Sequence, residues 1–186
     1  MEESGINISN DTPDDGVIKT RTASPEALGK IEITCVMDIP SKVEYIDIVR
    51  DRIVQAINNV FDTFSADIPV EGGFVGSFSF GYGTLLAVDE ALQNAIIHGN
   101  KEDPSKKVQI IYYLCPDYLE ITIRDEGEGF DWRAVVEEYN LLKDSKDPDV
   151  FMKFSRGLFL ILKTMDEVTF NDQGNEITIL KYRKQE

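Results

Sequence analysis

The chain has 186 residues, enough for one domain with a sizeable core, and its 34 Asp and Glu against 19 Lys and Arg give a net charge of −15. A field of that sign disfavours direct contact with nucleic acid or an anionic membrane and favours a basic partner surface. No apolar run reaches membrane-spanning length, and Met1-Glu2-Glu3-Ser4-Gly5 lacks the basic region and apolar core of a signal peptide, so a cytoplasmic location is expected.

Residues 1–29 mix Asp, Glu, Ser, Thr, Pro and Gly with few apolar side chains and read as a flexible acidic tail, leaving 30–186 as the folded domain. Ile31, Ile33, Cys35 and Met37 alternate with polar residues and predict a strand ending near Pro40. Ser41 reads as an N-cap with Glu44 in capping-box position, opening a helix that runs to about Thr63. The glycine and aromatic stretch Gly72 to Gly83 reads as a loop folded over the domain, with an open hydrophobic patch as the alternative.

Thr84 can cap a central helix whose apolar stripe is Leu85, Val88, Leu92, Ala95 and Ile96, and Gly99-Asn100 can end it in a left-handed turn. Two strands follow, Lys107 to Cys115 and Tyr118 to Asp125, joined tightly by Pro116-Asp117 as antiparallel neighbours. Both cysteines, Cys35 and Cys115, lie in these strand-like segments without metal-ligand spacing and read as buried free thiols. Past Phe130 the pattern turns helical through Val135, Val136, Tyr139 and Leu142, then becomes a polar stretch expected to be mobile from Lys143 to Asp149. A helix from Leu158 to about Met165 and two strands, Glu167 to Phe170 and Glu176 to Tyr182, complete the chain.

Three clusters carry chemistry. On the central helix Glu90 and Asn94 stand one turn apart, a carboxylate and an amide carbonyl on one ridge that suit a hard cation or a polarised water. Read alone, the pair is equally the solvated side of an amphipathic helix. Asp125 continues the inward row of Leu119, Ile121 and Ile123, and a carboxylate there is costly unless it accepts a hydrogen bond, which the exocyclic amine of a purine would supply. The plainer role for Asp125 is to open the turn Glu126-Gly127-Glu128-Gly129. Ser155-Arg156-Gly157 opens the third cluster, where free N–H groups at a helix start and a cation would make an anion site, or merely cap a core helix.

The ordered set DEALQNAIIHGN, IRDEGEGF, SRGLFLILKTMDEV and GNEITILKYRK resembles the ATPase superfamily of gyrases, chaperones, histidine kinases and mismatch-repair proteins. Within it, the wording is most similar to the bacterial anti-sigma factor serine kinases, over about Lys30 to Lys184. That resemblance implies an α/β fold: a two-layer α/β sandwich with a mixed, mainly antiparallel sheet, helices on one face, and a mobile lid at about 131–154. It implies ATP and magnesium (Mg2+) as cofactors, Asn94 as the metal ligand and Glu90 as the general base. It also matches Asp125 to the adenine-reading carboxylate, Gly127 and Gly129 to close nucleotide approach, and Ser155, Arg156, Gly157 and Leu158 to the phosphate-binding second glycine box.

The partners implied are an anti-anti-sigma factor, phosphorylated on serine or threonine, an RNA polymerase sigma factor, and a second copy in a homodimer. Ser155 stands where that box usually opens with glycine, and it motivates the alternative of a non-catalytic nucleotide-binding module that sequesters a partner without phosphorylating it. His98, the only histidine, sits at the carbonyl end of its helix without a dimerisation helix pair nearby, which speaks against a phosphoacceptor role.

Overall fold

Period-two alternation builds five strands whose apolar residues point one way. In the computed structural model, which describes residues 33–62, 80, 82–145 and 156–183, these strands are β1 (Ile33–Pro40), β2 (Lys107–Leu114), β3 (Tyr118–Arg124), β4 (Glu167–Phe170) and β5 (Glu176–Tyr182). They form one sheet in the order β1-β2-β3-β5-β4. The expected mainly antiparallel sheet is antiparallel in every described ladder, with Met37 opposite Ile110 and Ile121 opposite both Tyr112 and Ile179. Pro116-Asp117 makes the tight turn between β2 and β3, closed by the Cys115 amide donating to the Tyr118 carbonyl at 3.0 Å. Both cysteines are buried and free.

Among the described residues, four α-helices connect the strands: α1 (Tyr45–Asp62), α2 (Tyr82–Gln93), α3 (Trp132–Leu142) and α4 (Arg156–Thr164). Ile53 and Ile57 of α1, Leu92 of α2 and Ile161 of α4 share a core with Met37, Ile110, Leu119 and Ile121 of the sheet. Each such side chain contributes roughly 1.5–3 kcal/mol by leaving water, so this one interface between helices and sheet sets the two-layer architecture. α3 has no fully buried residue, yet Val135, Tyr139 and Leu142 pack against the core and the Tyr139 hydroxyl donates to the Leu162 carbonyl at 3.2 Å.

Three local expectations are corrected. α1 begins at Tyr45, and Ser41 is no cap: it is fully buried and its hydroxyl donates at 3.3 Å to the carbonyl of Ile96. Thr84 lies inside the first turn of α2 and donates to the Phe80 carbonyl at 2.7 Å, because the helix already starts at Tyr82. The left-handed residues after the helix are Lys101 (φ 61°) and Glu102 (φ 55°), whereas Asn100 keeps a right-handed φ of −81°. The acidic tail at 1–29, most of the Gly72 to Gly83 loop, residues 146–154 of the expected lid, and Ser155 lie outside the described residues.

Candidate functional site

The central helix does not end in an ordinary turn. From Asn94 to Gly99 it widens into one π-helical turn, closed by the Asn100 amide donating to the Ala95 carbonyl at 2.8 Å. The hydroxyl of Ser41 satisfies the Ile96 carbonyl in that turn. Beyond the last residue of β3, the turn holding Asp125 packs against this widened end. A side-chain Cβ at Gly99 would lie 2.5–2.6 Å from the Asp125 carboxylate oxygens, and one at Gly127 would overlap the Gly99 carbonyl. Both glycines are therefore required by close approach, since no side chain fits between the two segments.

Asp125 is half-buried, and its carboxylate accepts the Gly127 amide at 2.7 Å. Burial pushes its pKa up from the ordinary carboxylate value, opposed by the Gly127 hydrogen bond and the positive charge of Lys106. Its backbone is tied on both sides to Asn175, whose carbonyl accepts the Asp125 amide at 3.0 Å and whose side-chain amide donates to the Asp125 carbonyl at 3.0 Å. The acid is thus held at the tip of β3 with one oxygen engaged by its own turn.

Asn94 and Asp125 line the same cavity, of about 490 Å³, one from the end of α2 and one from the end of β3. Ile123, Leu158, Phe170 and Ile177 supply an apolar wall, and His98, Lys101 and Lys106 stand on its polar side. Apolar walls with a few convergent polar groups, at this volume, are the usual form of a small-molecule site. Of the residues singled out in the sequence, Asn94, Asp125, Gly129 and Leu158 line this cavity together.

Glu90 and Gly157 meet each other. A Cβ at Gly157 would overlap the Glu90 Oε2 atom, so the carboxylate lies directly on the backbone near the start of α4. Neither residue is part of the cavity wall; they adjoin it through Asn94, one turn from Glu90 on the central helix, and Leu158, next to Gly157 in α4. Gly127 stands behind Asp125. Arg156 opens α4, while its side chain and all of Ser155 lie outside the described residues.

The hairpin turn between β4 and β5 also reaches the site, through Gly174 and Asn175. Gly129 (φ 77°) and Gly174 (φ 79°) interlock backbone to backbone: a Cβ at Gly129 would overlap the Gln173 carbonyl, and one at Gly174 the Phe130 carbonyl. Gln173 donates to the Gly127 carbonyl at 3.2 Å, and Trp132 donates to the Asn171 carbonyl at 2.9 Å. The Trp132 ring stacks on Phe170 at 5.4 Å, and the Arg133 guanidinium sits 4.4 Å above it. Glycine spacing on both sides was the available signal; pairing the two loops required the β3–β5 register.

A family model described as Histidine kinase-like ATPase domain matches residues 40–181. The chain is 29% identical over 152 residues to Serine-protein kinase RsbW of Staphylococcus epidermidis, covering 81% of this chain and 87% of the relative. It is 28% identical to Serine-protein kinase RsbW of Staphylococcus aureus strain MW2 over the same 152 residues and the same shares of both chains.

Proposed function

The chain belongs to the histidine kinase-like ATPase family, and from that premise we propose that it is an ATP-dependent serine/threonine-protein kinase and anti-sigma factor. It transfers the terminal phosphoryl group of ATP to a hydroxyl of an anti-anti-sigma antagonist and so controls how much sigma factor is free. The observation that carries this reading is the single cavity lined by both Asn94 and Asp125, with Glu90 held against Gly157 beside it.

The residues fit a magnesium nucleotide. Asp125 offers a carboxylate acceptor to the amine of adenine, and the apolar wall of Ile123 and Ile177 suits the faces of the base. Asn94 offers one amide oxygen, sufficient for an ion that takes its remaining ligands from phosphate oxygens and water. When bound, magnesium ATP supplies the phosphoryl group and the charge that offsets it. Glu90 accepts the proton of the attacking hydroxyl, and Gly157 leaves its carboxylate the space to do so. The amides at the start of α4 would offer N–H donors to the charge of a bound phosphate. No described helix is long and apolar enough to cross a membrane, and the reading places the protein in the cytoplasm.

Incubation of the full chain with γ-labelled ATP and candidate antagonist proteins tests this. Label on a serine or threonine of one antagonist, lost with Glu90→Gln, is the expected result. Intact ATP binding without transfer to any hydroxyl would leave a non-catalytic partner switch, and label on a histidine would move the chain to the sensor-kinase branch.

A further inference from the structure

Asn100 lies outside the cavity, is fully buried, and has every polar group engaged. Its amide donates to the Ala95 carbonyl at 2.8 Å and its carbonyl accepts the Asp103 amide at 3.2 Å. Its side-chain Nδ2 donates to the Lys107 carbonyl at 2.8 Å, and its Oδ1 accepts the Glu126 amide at 2.8 Å. From the π-helical end of α2, one side chain therefore ties two other segments to that end: the first residue of β2 and the turn that follows Asp125.

We infer that Asn100 is the positioning residue for nucleotide-base selection: it holds the Asp125–Gly127 turn against the end of α2 so that the free carboxylate oxygen of Asp125 faces the base. The inference rests on the ATP reading given above. Gly127 donates to Oδ1 of Asp125, which leaves Oδ2 as the oxygen for a ligand. The neighbouring amide, that of Glu126, is fixed by Asn100 and not by the sheet, because the ladder between β3 and β5 ends at Arg124. Without Asn100 the turn keeps its internal bond, its ties to Asn175 and Gln173 and its packing on Gly99, but the Glu126 amide loses its hydrogen bond to the end of α2. The carboxylate can then swing, and a guanine, which presents a carbonyl where adenine presents an amine, is rejected less sharply. A residue that only stabilised the fold would weaken all ligands alike.

Calorimetric titration of the full-length protein with ATP, GTP and base-free tripolyphosphate, each with magnesium, separates the possibilities. Asn100→Ala is expected to lower the ATP-over-GTP preference by about tenfold or more, the scale of one hydrogen bond to a charged group, with tripolyphosphate affinity unchanged. An unaltered ATP-to-GTP ratio in folded Asn100→Ala overturns the inference while leaving the ATP reading intact. A wild-type chain that binds no ATP overturns the reading itself and the inference with it. Should the alanine variant not fold, hydrogen exchange in the wild-type protein decides: a slowly exchanging Glu126 amide supports the tie, and exchange at the rate of an open loop overturns it.

Discussion

Glu90 of the central helix rests its carboxylate on the backbone of Gly157 at the start of α4, in space that any side chain at 157 would fill. The proposed base and the proposed phosphate-binding helix are thereby one unit. Gly157→Ala forces the carboxylate away, and we expect phosphoryl transfer to fall at least about tenfold while ATP affinity changes less, since general-base catalysis is worth about 10²–10⁴ and depends on reach. Single-turnover rates beside binding titrations check the split; equal losses in both would contradict it.

Glu90→Gln keeps the shape and removes the proposed proton acceptor. Transfer should drop about 10²–10⁴-fold with nucleotide affinity held within about threefold. Quench-flow measurement of phosphorylated antagonist gives the rate directly, and near-normal transfer would assign the base elsewhere.

Asp125 carries a pH signature whose sign follows from its burial. Its carboxyl has a pKa raised above the ordinary 3.8, so the folded state holds that proton more tightly than the unfolded state does. Its contribution favours the fold fully below the ordinary value and is lost as pH rises through the raised one, leaving a desolvated charge at neutral pH. Asp125→Asn should therefore raise the melting temperature of the nucleotide-free protein at pH 7, with little change at pH 3, while ATP affinity falls about 10–100-fold. Calorimetric melting at the two pH values tests the first half and titration the second. In the wild type, ATP affinity should weaken as pH falls through the raised value.

How much of this was readable from the chain differs by element. β4 and β5 fall where the sequence put them because alternating Val168 with Phe170, and Ile177 with Ile179, leaves no other periodicity. The Glu90 and Asn94 ridge and the inward Asp125 were equally legible, being set by helical and strand spacing. Ser41 and Thr84 were misread because a hydroxyl near a helix start signals a cap only where the helix begins, and both helices begin elsewhere. The π-helical turn at Asn94 has no signature in a 3.6-residue pattern. Asn100 looked like a helix terminator, and its role emerges only when the first residue of β2 and the turn after β3 both meet its side chain.

Lys181 reaches from β5 to the end of α4, donating to the Thr164 carbonyl at 2.7 Å and to Asp166 at 2.9 Å while its side chain is only 11% exposed. Lys181→Met keeps the apolar stem and removes the charge that offsets the carbonyl end of the helix. We expect a loss of about 1–3 kcal/mol, the cost of leaving buried partners unsatisfied, read from denaturant unfolding. An unchanged midpoint would show that water replaces the ammonium at no cost.

The proposed kinase depends most directly on Asn94 and Asp125 acting on one magnesium nucleotide in a shared cavity. Titration of the full chain with ATP, with and without magnesium, in the wild type and in Asn94→Ala and Asp125→Asn, measures this. Binding strengthened by magnesium in the wild type, with the magnesium dependence abolished in Asn94→Ala and affinity lost in Asp125→Asn even without the metal, is the predicted result. Wild-type binding that ignores magnesium, or an Asp125→Asn variant that holds ATP as tightly as the wild type, would contradict it.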